Sequence, residues 1–392
     1  MRLDRLTLHD FRNLQGERPG EPLQWAPHPR FNLLVGDNGQ GKTNLLEAIA
    51  ILGGLRSFRT ARLGECIAFG KDHALLSAAT QAGGVHSTLG IDIGHKGRKL
   101  VLDGKPPSGA AAFLGRLTAV VFTAADLQLP HAEPEARRRW LDRLVFNHQP
   151  AHLAELRRYE TALHSKNILL RQHHAGQRAD PAMLDVYDDL IGRHGGEIVR
   201  RRAEVLARFS PMVAEVFAEI AAPGLVADVH YRPKIAAGDG AAAAVTAAQA
   251  QRRERDLRVG YTTAGPHRDD VDFRIAEMPA QLHASQGQCR ALVLACKIAE
   301  IRSLERTLGE PPLLLMDDIS SELDPKRNAA LMHYLDHLGG QVMLTTTAAE
   351  HVRVAAPRQV AQVSAGKIAP GTVLGEGPAV ARGTQGALGL GK

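Results

Sequence analysis

The chain has 392 residues, of which 44% are hydrophobic and 23% are charged, and its formal net charge is +6. Its three cysteines show neither a C-x-x-C pair nor metal-ligand spacing, which argues against a disulfide framework and a zinc site. No apolar run approaches the roughly 18 residues of a membrane helix, so we expect a cytoplasmic protein without membrane association. The modest positive charge permits an anionic partner such as nucleic acid.

The first third of the chain has the pattern of strands and hairpins. Short apolar or alternating runs are separated there by Gly, Pro and Asp, which is typical of β-strands. The pattern predicts strands at residues 3–8, 31–35, 75–80, 87–93, 99–103 and 117–122. Two later runs, 313–316 and 341–345, have the character of strands buried in an α/β sheet.

A phosphate-binding motif lies between the second predicted strand and an apolar helical segment. Residues 36–43 read GDNGQGKT, a complete G-x-x-x-x-G-K-[ST] loop. In such a loop the backbone N–H groups and the positive end of the following helix face the phosphates. Lys42 would reach the terminal phosphates and the Thr43 hydroxyl would ligate Mg2+. The alternative is a glycine-rich turn with a surface lysine.

From about residue 131 the chain changes to long polar segments with helical spacing, which predict an inserted helical region. Its arginine runs are interpreted as an ordinary solvated helix surface. The Gly/Ala-rich stretch 236–250 predicts a flexible connection or a weakly specified helix start, and residues 251–259 a charged helix. From residue 370 onward the composition predicts a disordered tail.

Paired carboxylates follow a later buried strand, in the string LLLMDDISSELD at 313–324. Asp317 at the strand tip can enter the Mg2+ shell. Asp318, one residue further, is placed to orient or deprotonate an attacking water. The alternative is a strand that ends in a solvated acidic turn.

A second candidate anion site is the helix start in ASQGQCR, residues 284–290. Ser285 is a good N-cap, and Gly287 leaves backbone N–H groups unobstructed. If two copies meet head to tail, this helix start can close on the γ-phosphate held by the other copy, so that dimerisation depends on ATP. The alternative is an ordinary helix cap.

In this order the motifs resemble the ATP-binding cassette (ABC) heads of SMC proteins, and within that group the chain closely resembles the RecF family of bacterial recombination mediators. The resemblance rests on FRNL at 11–14, GDNGQGKTNLLEAI at 36–49, RSFRT at 56–60, VVF and DL within 120–127, RRRWLD at 137–142, TAGPHRDD at 263–270, SQGQ-x-R at 285–290 and DDISSELD at 317–324. It covers nearly the whole chain except the tail.

The resemblance implies an α/β ABC-type, SMC-like P-loop ATPase head with an inserted helical arm. The head would comprise residues 1–130 and 256–369, the arm 131–255 and the disordered tail 370–392. It further implies a weak DNA-dependent ATPase that dimerises on ATP and binds single-stranded, double-stranded and gapped DNA. Such a protein would work with RecO and RecR to load RecA in DNA repair and replication restart.

The resemblance also assigns site residues. The ATP contacts would be Gly36, Asp37, Asn38, Gly39, Gln40, Gly41, Lys42, Thr43, Asn44 and Arg12, with Ser285, Gln286, Gly287 and Gln288 acting on the ATP of the opposite subunit. Thr43 and Asp317 would ligate Mg2+, and Asp318 would be the catalytic carboxylate. Arg56 and Arg59 are the candidate DNA contacts.

Several positions depart from the family pattern or leave alternatives open. Ala124 and Ala125 stand where the family usually has Pro-Glu, and residues 345–347 are threonines with no switch histidine. Many cassette ATPases have Glu where Asp318 stands, and the shorter side chain is in keeping with slow turnover. Arg12 is equally explained as an exposed hairpin arginine.

The GPHRDD block has three interpretations. His267 and Arg268 would face the nucleotide, face DNA, or form a structural pair with the neighbouring Asp269 and Asp270.

Two rival functions share the phosphate-binding loop. The nucleotide-binding subunit of a membrane transporter shares the head fold but does not explain GPHRDD or RSFRT. A metabolic P-loop kinase would need a substrate lid and has no use for SQGQ and SELD together.

Overall fold

A computed structural model describes residues 1–18, 20–221, 224–369 and 371–375. The architecture is α/β, as predicted, with a central helix enclosed between two sheets. Every strand predicted above is present, and its ends lie within two residues of the predicted ends. Among the described residues, no helix is both long and apolar enough to cross a membrane.

The main sheet is parallel at its centre. Its parallel strands are, in order, Arg358–Ser364, Phe31–Val35, Val342–Thr346, Leu313–Asp317 and Ala119–Thr123, with Lys367–Ile368 and Thr372–Leu374 antiparallel to the first. Asp317 pairs with Thr345 on one side and Thr123 on the other. The carboxyl ends of neighbouring strands therefore meet at one edge, where ligands bind in α/β sheets.

Two further sheets are antiparallel. One has the order Leu23–Trp25, Arg2–His9, His73–Ala82, Val85–Gly94 and Gly97–Leu102, and the other the order Met278–Pro279, Asp270–Ile275 and Ala227–Arg232. Their strands alternate buried and accessible residues, which is the pattern of sheets with one face on the core.

The longer helices are Lys42–Gly54, Pro134–His148, His152–His174, Pro181–Ile220, Ala241–Val259, Gln286–Leu308 and Pro325–His337. Short helices are Ala110–Phe113, Ala280–His283 and Ile319–Glu322, and 3-10 turns are Leu63–Cys66, Ala124–His131, Pro266–Arg268 and Ala349–His351. We call Lys42–Gly54 the Walker A helix and Gln286–Leu308 the signature helix. The four helices from Pro134 to Val259 are called the first to fourth insertion helices.

The Walker A helix is buried on nearly all sides. It shares one apolar cluster with Leu6 of the antiparallel sheet and Leu315 of the main sheet. Burial of each large apolar side chain contributes roughly 1.5–3 kcal/mol, so this cluster ties both sheets to the helix that begins at the phosphate-binding loop.

Of the two alternatives for residues 236–250, the helix start is confirmed and the flexible connection is wrong, because the fourth insertion helix occupies Ala241–Val259. Its small residues serve a close crossing with the third insertion helix. A Cβ atom on Gly196 would lie 2.4 Å from the backbone of Ala242, so only glycine permits this approach.

Two other features differ from expectation. The strand Ala227–Arg232 lies inside the region predicted as helical, because Ala227 and Val229 are buried against Asp270–Ile275. In the predicted disordered tail, Thr372–Leu374 form a strand on Arg358–Ser364, whereas residues 370 and 376–392 lie outside the described residues.

Candidate ATP-binding site

The phosphate-binding loop follows the strand Phe31–Val35 directly. A Cβ atom on Gly36 would lie 2.2 Å from the carbonyl oxygen of Val363, so the loop requires glycine there. Gly41 has φ +112° and begins the Walker A helix in a conformation that other residues rarely adopt. The buried Lys42 donates to the carbonyl oxygens of Gly36 at 2.5 Å and Asp37 at 3.0 Å. The ammonium therefore already lies across the loop that would hold phosphates.

The loop also has contacts that fix its outer edge. The main-chain N–H of Ala365 donates to the Gln40 side chain at 2.6 Å, and that of Gly366 donates to the Gln40 carbonyl at 2.9 Å. Asp37, Asn38 and Gly39 are exposed, in position to meet a ligand.

Thr43 and Asp317 meet at the carboxyl ends of the strands. The Thr43 hydroxyl lies 2.8 and 3.0 Å from the two carboxylate oxygens of Asp317. Because Mg2+ prefers oxygen ligands, this hydroxyl and carboxylate fit the predicted metal shell. The structure thus brings together two predicted metal ligands that are 274 positions apart in the chain.

Thr345 is a functional candidate whose role the sequence left open. Its hydroxyl donates to Asp317 at 2.9 Å and accepts from the backbone N–H of Asp318 at 3.0 Å. It is fully buried and lies on the neighbouring strand Val342–Thr346. A single hydroxyl therefore contacts both carboxylate residues, Asp317 through its side chain and Asp318 through its backbone.

Asp318 begins the short helix Ile319–Glu322 with a left-handed backbone, φ +51°. Non-glycine residues are uncommon in this conformation and cluster at functional sites. The conformation turns the chain immediately after the strand.

Glu47 of the Walker A helix binds two arginines that the sequence predicted as functional, Arg12 and Arg59. This fully buried carboxylate accepts from Arg12 at 2.8 and 3.0 Å, from Arg59 at 3.2 Å and from Ser57 at 2.5 Å. Burial alone would raise the pKa of Glu47, but the hydrogen bonds from Arg12 and Ser57 and the charges of both arginines outweigh it and lower the pKa.

These contacts locate Arg12 and Arg59 beside the loop. Arg59 also donates to the side chain of Asn44 at 2.5 Å, immediately after Thr43. Its guanidinium is thus held by the Walker A helix, at the nucleotide side. Arg56 makes none of these hydrogen bonds; it lines a cleft that Arg59 also borders.

Asn13 is a loop contact that sequence reasoning missed. Its side-chain oxygen accepts from Asn44 at 2.7 Å, and its amide lies 3.4 Å from the carbonyl oxygen of Gly39. The available signal was its place in the FRNL motif, next to Arg12.

The signature helix begins with a complete capping box. Ser285 accepts from the backbone N–H of Gln288 at 3.2 Å, while the Gln288 side chain accepts from that of Ser285 at 2.8 Å. Ser285 and Gln286 are exposed, and a Cβ atom on Gly287 would lie 2.9 Å from the guanidinium of Arg327. The start of this helix therefore contacts Arg327, in the segment after Asp318, and does not face the phosphate-binding loop of the same chain.

The GPHRDD acids pair with arginines of the insertion, not with their neighbours. Asp270 accepts from Arg137 at 2.8 and 2.7 Å, and the buried Asp269 lies 3.4 Å from Arg202. The interpretation of the arginine runs as solvated surface is therefore wrong for Arg137 and Arg202, which are buried. A repeated charged residue cannot reveal in sequence which member faces a buried acid.

His267 also belongs to this network. Its Nδ1 lies 2.5 Å from the Tyr159 hydroxyl and its Nε2 lies 3.2 Å from the Thr262 carbonyl oxygen. Burial lowers the pKa of His267 to about 4, and nearby arginines contribute. This histidine contacts the insertion, while Arg268 stacks 5.4 Å from the ring of Tyr261.

The sheet, the phosphate-binding loop and the paired strand-end acids define an ABC-type ATPase head of the SMC kind, with a helical insertion. The chain is 42% identical over 363 residues to the DNA replication and repair protein RecF of Myxococcus xanthus, covering 91% of this chain and 93% of that protein. It is 38% identical over 358 residues to RecF of Geobacter sulfurreducens, covering 90% and 95%. The chain belongs to the RecF family, which confirms the resemblance.

Solved structures agree on the fold. The recombination mediator RecF-ATPrS of the RecFOR pathway superimposes with a TM-score of 0.83 at 24% identity, covering 94% of this chain and 97% of that one. The SMC head of Pyrococcus furiosus, bound to the C-terminal domain of ScpA, gives 0.52 at 14% identity over 95% and 96%. No family model matches the chain. The predicted fold class is confirmed.

Proposed function

We propose that this protein is an ATP-dependent DNA-binding recombination mediator. It dimerises on ATP, binds DNA at junctions of single and double strands, and helps RecO and RecR to load RecA in repair and replication restart. Slow ATP hydrolysis then releases the DNA. Support comes from membership of a family whose curated members are named DNA replication and repair proteins, and from the RecF structures with ATP and ATPrS in the RecFOR pathway.

In this proposal residues 1–130 and 256–369 form the head and residues 131–255 the arm, and the protein acts in the cytoplasm. Lys42 contacts the terminal phosphates, and the loop N–H groups and the Walker A helix start surround the rest of the triphosphate. Thr43 and Asp317 would hold Mg2+, which would neutralise phosphate charge. Asp318 orients the attacking water.

The observation that supports ATP-dependent dimerisation is the position of the start of the signature helix. Ser285 and Gln286 are exposed, and the contacts of Gly287 lead to Arg327. A polarised helix start without an anion in its own chain is well placed to meet the phosphates of a second copy. Two heads would then hold two ATP molecules between them, and DNA contacts would be directed to phosphates without sequence preference.

Slow turnover follows from the strand-end carboxylates. Asp318 is one methylene shorter than the glutamate of many cassette ATPases, and its left-handed backbone fixes its direction. Thr345 holds the neighbouring Asp317 but has no proton to exchange near neutral pH. These features suit a switch that remains in the ATP state while DNA is bound.

The experiment is sedimentation with and without ATP, together with ATPase turnover with and without gapped duplex DNA. We expect ATP to convert monomer to dimer and DNA to raise turnover, a combination that neither a transporter subunit nor a metabolic kinase predicts. Lys42→Arg is the matched variant, because a planar guanidinium does not reproduce the compact ammonium. It should retain some ATP affinity and lose hydrolysis. A protein that stays monomeric at saturating ATP and ignores DNA would refute the proposal.

A further inference from the structure

A cleft of about 910 Å3 lies outside the ATP site, between the head and the insertion. One wall is the segment 55–63 after the Walker A helix, joined by Arg98 of the strand Gly97–Leu102. The facing wall comes from the first and second insertion helices. This volume is within the usual range for a specific ligand site of roughly 300–1,000 Å3.

The cleft contains more guanidinium groups than carboxylates can pair. Several wall arginines are already bound: Arg143 to Asp126 at 2.8 Å, Arg202 to Asp142 at 2.8 Å and Arg139 to Glu135 at 3.2 Å. Within the described residues, Arg56 and Arg157 have no ion pair within 4 Å and no side-chain hydrogen bond. Arg98 donates to a carbonyl oxygen, that of Leu55. In the described part of the chain, three arginines from three separate segments thus line one cleft without a carboxylate within 4 Å of any of them.

Their mutual influence shows that the three groups are close. Burial lowers the pKa of Arg98 to about 10, with contributions from the charges of Arg157 and Arg56. Burial also lowers the pKa of Arg56, and Arg157 contributes, while the carboxylates of Glu160 and Asp142 oppose the shift. Glu160 lines the same cleft, so it offsets part of the charge of the three arginines. Concentrated unpaired charge of one sign costs folding stability, and such groups cluster at binding sites.

The chemistry of the three side chains identifies the class of ligand. Guanidinium groups bind phosphate oxygens in a bidentate manner and remain charged at neutral pH. A cube with the volume of the cleft has an edge of about 10 Å. The major groove of a DNA duplex is already about 12 Å wide, and the whole duplex is wider still, so a duplex does not fit into the cleft. One strand fits. Phe58 and Phe146 also line the cleft, and aromatic rings stack on bases in proteins that bind single strands.

We propose that the cleft binds the phosphates of one nucleic-acid strand through Arg56, Arg98 and Arg157. This rests on the proposed DNA-binding function and adds a location to it. The single-stranded side of a gap would enter the cleft between head and insertion, while the duplex side stays outside. Arg98 and Arg157 thus join Arg56, which the sequence predicted as a DNA contact. Arg59 also borders the cleft but is paired with Glu47, so it is not among the proposed contacts.

Arg157 and Arg158 provide a matched pair of variants on one helix turn. Arg157→Gln removes a cleft guanidinium without removing a described hydrogen bond. Arg158→Gln removes an exposed arginine that lies outside this cleft and pairs with Glu155 at 3.0 Å. The probe is a labelled oligothymidine of about 12 nucleotides, a length within the span of known single-strand sites. Its affinity is measured over a series of salt concentrations, with free AMP and a duplex of equal length as further arms.

We expect Arg157→Gln to bind the single strand more weakly, with a log–log salt slope flatter by about 0.7 for each phosphate that the variant no longer neutralises. Arg158→Gln should match the unmodified protein, and the duplex should not distinguish the two variants. An equal slope in both variants, or an equal loss for duplex and single strand, would overturn the proposal. Displacement of the oligothymidine by millimolar AMP would instead assign the cleft to a free nucleotide and would also overturn it.

Two controls distinguish DNA binding by Arg157 from a structural role of this residue and from the proposed ATP-dependent dimerisation. Thermal unfolding should show Arg157→Gln at least as stable as Arg158→Gln, because it relieves repulsion; a lower melting temperature would mark Arg157 as structural and count against the cleft. ATP-dependent dimerisation should be unchanged in Arg157→Gln. If the cleft proposal fails while dimerisation and duplex binding persist, the proposed function still stands.

Discussion

Replacement of Arg202 should destabilise the junction of insertion and head strongly. The side chain is 3% exposed and donates to Asp142 at 2.8 and 2.9 Å and to the Pro266 carbonyl oxygen at 2.9 Å. Arg202→Met keeps the apolar volume but leaves Asp142, whose side chain is 13% exposed, with His152 as its remaining partner. Removal of one member of a buried ion pair costs about 3–5 kcal/mol, and we expect a loss of that size in the free energy of unfolding.

The loss should depend on pH in a defined direction. Burial alone would raise the pKa of Asp142, but the charge of Arg202 and the hydrogen bonds from His152 and Arg202 outweigh it and hold the pKa well below its usual range. A carboxylate with a depressed folded pKa stabilises above its unfolded pKa of about 3.9 and loses that contribution as pH falls. In Arg202→Met the carboxyl pKa rises instead, so protonation stabilises the variant. The gap between the two proteins should narrow as pH falls towards 4.

Urea unfolding at several pH values measures this gap. Arg200→Met is the control on the same helix, because Arg200 is partly exposed and pairs with Glu197 and Glu204 within one turn. Such helix pairs contribute about 0.3–0.5 kcal/mol each, so its loss should stay below about 1 kcal/mol. Equal losses in the two variants, or a gap that does not change with pH, would refute the reasoning.

Three further predictions concern the site and its support. Ser285→Arg should retain ATP binding and lose ATP-dependent dimerisation in sedimentation, and dimers of undiminished affinity would contradict closure through the signature helix. Thr345→Val removes the hydroxyl that holds Asp317 and should lower steady-state ATP turnover about tenfold, with Thr347→Val as the exposed control; unchanged turnover would exclude a positioning role. His267 has a folded pKa of about 4 against roughly 6.5 unfolded, so stability should fall as pH drops through that window. His267→Gln should reduce this decline in urea unfolding, and an unaltered slope would exclude His267 as its source.

Local signals predicted the backbone features around the candidate site. The glycines of the phosphate-binding loop, the capping box at Ser285 and the apolar strand before Asp317 are each determined within a few residues. Their assembly also followed, because parallel strands bring their carboxyl ends to one edge. Asn13 was not predicted, because a neutral amide in a turn has no sequence pattern that marks it as a contact of the phosphate-binding loop.

The insertion was predicted less completely, because its structure depends on distant partners. Arg137 and Arg202 look like their exposed neighbours in sequence, and only the folded chain shows that they face Asp270 and Asp142. The alanines of the fourth insertion helix, preceded by Gly238 and Gly240, resemble a linker in composition. In the structure the same small side chains permit the close approach at Gly196.

The ion pair of Arg137 with Asp270 connects the insertion to the chain segment that precedes the signature helix. Asp270 begins the strand Asp270–Ile275, which leads through Met278–Pro279 and Ala280–His283 to Ser285. A displacement of the first insertion helix would therefore act on the short segment that leads to the surface proposed to meet a second copy. A nucleic-acid strand bound beside Arg157 would act on the same segment, so that DNA binding and dimerisation would be coupled without direct contact between the two sites.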